Sequence, residues 1–170
     1  KSLYLENPRF LAVRYGNVLS SRGSLFPLFL EIGNDEKQTY FPVTNEHMTR
    51  FFMHLDESID LILKAVENGK SGDIFITKVR SYKIMDVATR FSIKYNKPVK
   101  IVGTRPGEKL HECLVSESEK NRTLKIGDMY VIKDCYQIVT PCIDFEGEYT
   151  SDLSVSSDMS EIDILIDLTK

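Results

Sequence analysis

Apolar and polar positions alternate along the chain in blocks that change period several times. Residues 9–13 form a short, nearly continuous apolar run, the pattern of a strand buried on both faces of a parallel sheet. Residues 14–23 are dense in Gly, Asn and Ser and read as an irregular loop at that strand's carboxyl end. Ser24 is placed to cap a helix reaching about Ile32, with Pro27 tolerated in its first turn, and a polar turn follows at 34–37. Residues 39–43 are β-prone. The spacing predicts an amphipathic helix over 56–67, with Ile59, Ile62, Leu63 and Val66 on one stripe and Gly69 and Gly72 beyond its end.

Downstream, strand patterns at 73–77 and 99–102 flank a helical pattern over 84–95, a β-α-β order that predicts a second, small sheet. Met129 to Ile132 read as another strand. Residues 144–170 are acidic and Ser-rich, with one short helix carrying Ile162, Leu165, Ile166 and Leu168, and are expected to form a loosely packed terminal arm. The fold class is therefore α/β, in 170 residues of which 42% are hydrophobic, enough for a real core. No apolar run approaches the length of about 18 residues that a membrane-spanning helix needs.

Charge narrows the partners. With 22 basic against 25 acidic residues the net charge is −3, which removes the broad attraction that nucleic-acid or polybasic membrane binding requires. Three cysteines, Cys113, Cys135 and Cys142, make no CxxC pair, so neither a disulfide framework nor a zinc site is expected, the thiols read as small buried hydrophobes, and a reducing cytoplasm fits. His47, His54 and His111 share no carboxylate-rich face and predict no metal site. Glu117, Glu119, Lys120 and Arg122 read as a solvated face.

Three segments carry candidate chemistry. Arg14-Tyr15-Gly16-Asn17-Val18, followed by Ser20-Ser21-Arg22-Gly23, combines close backbone approach with an amide and a guanidinium. Met48-Thr49-Arg50 opens a Phe-rich stretch, and Thr104-Arg105-Pro106-Gly107-Glu108-Lys109 follows a predicted strand. Guanidiniums converging with an Asn amide suit a pyrophosphate, and Glu108 suits the vicinal hydroxyls of a ribose. This describes a nucleotide-diphosphate ligand better than a metal or a nucleic acid.

These segments, together with Gly72-Asp73-Ile74-Phe75 and Arg105 through Glu112, resemble in order and spacing the carboxyl-terminal half of the UDP-N-acetylglucosamine 4,6-dehydratases, extended short-chain dehydrogenase/reductases of polysaccharide biosynthesis. The wording Asn45-Glu46-His47-Met48-Thr49-Arg50 and the tail lean toward the subgroup that also epimerises C5. The resemblance implies the end of a Rossmann-like domain over 1–38, a substrate-binding α/β subdomain over 39–143 and a terminal arm over 144–170. It implies that Asn17, Thr44, Thr49, Arg50, Arg105 and Glu108 bind a UDP-sugar, Arg105 and Glu108 clamping pyrophosphate and ribose. Val18, Ser21 and Arg22 would touch the nicotinamide half of NADP.

The family's glycine-rich cofactor turn, Thr-Asp-Lys-type cluster and Tyr-x-x-x-Lys pair belong upstream of these motifs. None occurs here: Gly16, Gly23 and Gly33 make no such turn, and neither Tyr4, Tyr15 nor Tyr82 has Lys four positions on. No catalytic residue is therefore assigned. The chain begins at Lys1 rather than Met, and the resemblance implies that it starts just after the Tyr-Lys helix and is inactive alone as a lyase. Two function classes follow: the substrate-binding half of an NADP-dependent dehydratase that works with a Rossmann half or as a homo-oligomer, or a non-catalytic module that binds a nucleotide-sugar or a full-length paralogue.

Overall fold

The computed structural model describes residues 8–153 and 155–168. In chain order its elements are β1 (Ala12–Arg14), β2 (Asn17–Val18), α1 (Leu25–Asn34), β3 (Phe41–Val43), β4 (Thr49–Met53), α2 (Leu55–Asn68), β5 (Ile74–Thr77) and β6 (Arg80–Lys83). There follow α3 (Ile84–Tyr95), β7 (Val99–Ile101), β8 (Cys113–Val115), α4 (Glu117–Lys120), β9 (Thr123–Ile126), β10 (Met129–Ile132), β11 (Tyr149–Thr150) and α5 (Ser160–Leu168). They form a mixed α/β fold in two compact units, through which the chain passes alternately. None of the described helices is long and apolar enough to cross a membrane.

The first unit takes residues 8–15, Asp56–Lys78 and Leu114–Tyr149. Its sheet runs β1-β5-β10-β9, with β1 parallel to β5 and the others antiparallel, and β9 and β10 are joined by the two-residue turn Gly127-Asp128. Leu61 and Ala65 of α2 pack with Phe75 and Val131. The stripe expected to face the core does the opposite: Ile59, Ile62, Leu63 and Val66 are 42–53% exposed. The helix is anchored by its narrower face, Ser58, Leu61 and Ala65. The first strand is likewise not buried on both faces, since its residues are exposed or half-buried and Phe10 is 74% exposed.

Charge does more here than the sequence suggested. Arg14 forms a two-pronged pair with Glu119 at 2.8 Å for each oxygen, and Glu119 also closes the capping box of α4 with Ser116. The Arg14 hydrogen bonds, with help from Ser116, hold the Glu119 carboxyl down at about 2. Glu119 is thus a structural tie rather than part of a solvated face. Cys135 and Cys142 are exposed and Cys113 is half-buried, so the thiols are not the buried hydrophobes expected.

The second unit takes Gly16–Leu55, Val79–Cys113 and residues 150–168. β2 lies parallel to β4, which pairs antiparallel with β6, while β3 and β7 form a separate parallel pair. The predicted β-α-β unit is therefore split: β5 belongs to the first unit's sheet, and the strand entering α3 is β6, which the pattern did not reveal. Phe26, Phe29, Phe41 and Phe91 pack around one another with ring centroids 5.3–5.8 Å apart. Against this aromatic core α5 buries Ile162 at 0% and Ile166 at 3% exposure. Glu161 fastens the helix further, accepting from the Tyr82 hydroxyl at 3.0 Å and pairing with Arg80 and His54 at 2.7 Å each. Helix α5 is thus a core element of this unit rather than part of a loosely packed arm.

Candidate functional site

A cleft of about 210 Å³ opens in the second unit. Its walls come from Asn17 on β2, Gly23 to Leu25 at the start of α1, Thr44 after β3, Arg50 on β4, and Arg105 and Glu108, over an apolar floor of Phe29, Val43 and Phe52. Gly16 makes the arrangement possible. A Cβ there would stand 2.5 Å from the Phe51 Cβ and 2.6 Å from its carbonyl oxygen, so only glycine lets the chain enter β2 so close to β4.

Arg105-Pro106-Gly107-Glu108 forms a tight turn, closed by the Glu108 N–H donating to the Arg105 carbonyl at 3.0 Å. Pro106 presets the second position and Gly107, at φ +81°, supplies the left-handed third, as a type II turn demands. The Glu108 carboxylate is itself engaged, accepting from the Thr44 hydroxyl at 3.2 Å and from the Arg105 N–H at 3.0 Å. The exposed Arg105 guanidinium makes no hydrogen bond or ion pair among the described residues and is available to an anion.

Arg50 lines the cleft differently. Its terminal nitrogens donate to the carbonyls of Thr49 at 2.7 Å, Leu110 at 3.0 Å and Lys109 at 2.7 Å, and Nε lies 3.6 Å from Glu112. Of its five donors three are engaged, two of them in holding the 109–110 backbone, which leaves fewer for a ligand than the sequence alone suggests. Thr49, expected to bind substrate, is 2% exposed and does not line the cleft; its hydroxyl meets His111 Nδ1 at 2.7 Å and the Ser151 hydroxyl at 2.6 Å.

One group that sequence reasoning took only as a cap belongs to the site. Ser24 lies at the N-terminus of the ten-residue helix α1 and lines the cleft, yet its hydroxyl makes no cap bond. That oxygen is shielded from solvent and has no partner among the described residues. An unmet buried hydroxyl costs on the order of 1–3 kcal/mol, and at a helix N-terminus, where free N–H groups and the dipole favour negative charge, an anionic oxygen would satisfy it. The signal was present in Gly23-Ser24 opening a helix after a strand and loop.

Residues 2–134 match the family described as polysaccharide biosynthesis protein. The chain belongs to this family. Over 140 residues it is 36% identical to a UDP-N-acetylglucosamine 4,6-dehydratase (inverting) of Campylobacter jejuni, a match covering 82% of this chain and 41% of that protein. It is 42% identical over 125 residues to a UDP-glucose 4-epimerase of Rickettsia bellii, covering 72% of this chain and 36% of the relative. The crystal structure of Pen from Bacillus thuringiensis superposes with a TM-score of 0.81 at 28% identity, covering 95% of this chain and 50% of that one. The chain thus spans at most about half the length of these relatives.

In this chain, five of the six expected substrate contacts, Asn17, Thr44, Arg50, Arg105 and Glu108, come together in one cleft. The three expected cofactor contacts lie elsewhere. Val18 pairs with Met53 in the β2–β4 ladder, while Ser21 and Arg22 are exposed, and none of the three lines the cleft. His47 is exposed beside Glu46 and His54 is tied to Glu161. The described residues contain no cluster of His, Cys, Asp and Glu suited to a metal ion.

Proposed function

We propose that the second unit is the UDP-sugar-binding portion of a nucleotide-sugar 4,6-dehydratase acting on UDP-N-acetylglucosamine. One observation carries the reading: the unpartnered Ser24 hydroxyl at the α1 N-terminus shares a cleft with Arg50, the available Arg105 guanidinium and the Asn17 amide. Together these donors suit a diphosphate. Phe29, Val43 and Phe52 offer an apolar bed for the base, and the Thr44–Glu108 pair offers acceptors for ribose hydroxyls. The named dehydratase and epimerase relatives both act on UDP-sugars, which supports the nucleotide, while the chemistry at the sugar follows the dehydratase resemblance. Val18, Ser21 and Arg22 do not line this cleft, and no step of the reaction is derived through NADP. Oxidation at the sugar requires a general base and a hydride acceptor, and the chain's own motifs supply neither, so the 170 residues alone are expected not to turn over substrate.

Titration of UDP into the protein by calorimetry tests the reading. A guanidinium bond to a phosphate contributes roughly 1.5–3 kcal/mol, so Arg105→Ala should weaken UDP about 10- to 150-fold, and Arg105→Lys should restore only part, lacking the forked geometry. Unchanged affinity at unchanged folding would remove Arg105 from the site.

A further inference from the structure

Next to Arg50 lies a polar cluster, Thr49, Glu112 and Ser151, whose members do not themselves line the cleft. Ser151 is 0% exposed, and its hydroxyl donates to the Thr49 carbonyl at 3.1 Å, accepts from the Glu112 N–H at 2.9 Å and meets the Thr49 hydroxyl at 2.6 Å. The Ser151 N–H donates to the Glu112 carbonyl at 2.8 Å. One serine thereby joins the first residue of β4 to the strip of chain at 109–112. That strip is also sewn to β4 by the Thr49 N–H on the Leu110 carbonyl at 3.1 Å and by the two Arg50 bonds to Leu110 and Lys109. Immediately before it comes the turn that carries Arg105 and Glu108.

From this connectivity we infer that Ser151 is a positioning residue for nucleotide binding, acting with the Thr49 hydroxyl to fix the 109–112 strip and hence the placement of Arg50, Arg105 and Glu108. The inference rests on the UDP-sugar reading of the cleft. A serine hydroxyl has one donor and two acceptor positions, and all are engaged here. Removing it deprives the Glu112 N–H of its acceptor and leaves the Thr49 hydroxyl with His111 Nδ1 as its remaining partner among the described residues. The strip can recover those bonds only by moving, and the cleft side of that movement is the Arg105 turn. Leu110 is 37% exposed and the turn residues pack little apolar surface, so hydrogen bonds rather than burial hold this segment.

The test uses the full 170-residue chain with Ser151→Ala, Thr49→Val and Thr49→Ser, reading UDP affinity by calorimetry and amide exchange of residues 105–112 by mass spectrometry. Thr49→Val keeps the volume and loses the hydroxyl; Thr49→Ser keeps the hydroxyl and loses a methyl. Ser151→Ala and Thr49→Val should each weaken UDP about 10-fold and speed exchange over 105–112, while Thr49→Ser stays within about twofold of wild type. A role in packing alone reverses the order of the two Thr49 variants and overturns the inference. So does unchanged affinity in Ser151→Ala with native circular dichroism. Should wild type bind no UDP, the nucleotide reading fails, and exchange alone decides: acceleration in Ser151→Ala and Thr49→Val but not in Thr49→Ser upholds the positioning role, and equal exchange ends it. If Ser151→Ala does not fold, the two Thr49 variants decide by the same criteria.

Discussion

The two units are held together by different means. The second is organised around interlocked aromatic rings, and even its last helix contributes fully buried Ile162. In the first unit the buried cluster around α2 is smaller, Leu61, Ala65, Phe75 and Val131, and long-range ties come from charged groups: Arg14 with Glu119, Lys133 with Asp73 at 2.5 Å, and Asp144 with Lys78 and Lys125 at 2.5 and 2.9 Å. Its main helix keeps a full apolar stripe in solvent. Burial is insensitive to pH and weakly directional, whereas carboxylate ties depend on ionisation. The two units should therefore respond differently to the same perturbation.

The largest effect is expected in the aromatic core. Ile162→Ala leaves a cavity beneath α5 and should cost about 2–5 kcal/mol, read as a lower denaturation midpoint. A cost below about 1 kcal/mol would mean that α5 adds little to the core, and the contrast between the units would lose its strongest case.

Acid should act most on the first unit, where the most strongly lowered carboxyls lie, although Glu161 in the second is also held low. The folded Glu119 carboxyl stands at about 2 against an ordinary 4.5, so its contribution is complete above about pH 4.5 and is lost as pH falls through about 2. Asp144, held low by hydrogen bonds from Lys78, Tyr130 and Lys125, acts in the same direction. Allowing for the partly exposed Arg14, the Glu119 tie should contribute about 1–3 kcal/mol. Exchange of β9 and β10 amides between pH 5 and 2.5 should show this loss, and Glu119→Gln should lower stability at neutral pH and flatten that part of the profile. A profile identical in wild type and variant would show that Arg14 and Glu119 are not coupled in solution.

What the sequence could reveal differs along the same division. Helix α3 was legible to the residue because Ile84, Val87, Ala88 and Phe91 repeat at helical spacing and are all buried. For α2 periodicity identified the helix and misjudged its buried side, because the stripe at Ile59, Ile62 and Val66 is more apolar than the Ser58, Leu61, Ala65 face that packs. For α5 the stripe was visible but its acidic, Ser-rich surroundings suggested solvent; Glu161 instead finds Tyr82, Arg80 and His54, partners about 80 to 107 positions away. Asn17, Arg50 and the Arg105 turn, which share the cleft, were picked out because they fall in segments with strong local signals in the sequence. Thr49 was misplaced because its partners, His111 and Ser151, are set by tertiary structure, and the same distance concealed Ser151 itself.

The smallest change in stability should come from the exposed stripe of the first unit. Ile62 is 42% exposed on α2, so Ile62→Lys removes little buried surface and keeps a good helix former; its effect should stay within about 0.5 kcal/mol. The same substitution breaks a run of apolar groups that includes Ile59, Leu63 and Val66, and contiguous apolar patches of this kind favour association. Sedimentation at rising concentration should therefore show less self-association for Ile62→Lys than for wild type, with an unchanged midpoint measured in dilute solution. A loss above about 1 kcal/mol would mean that Ile62 is buried in solution. If that loss also grew with protein concentration, a second copy of the chain would be what covers α2, and the contrast between a closed unit and an open one would have to be redrawn for the assembled protein.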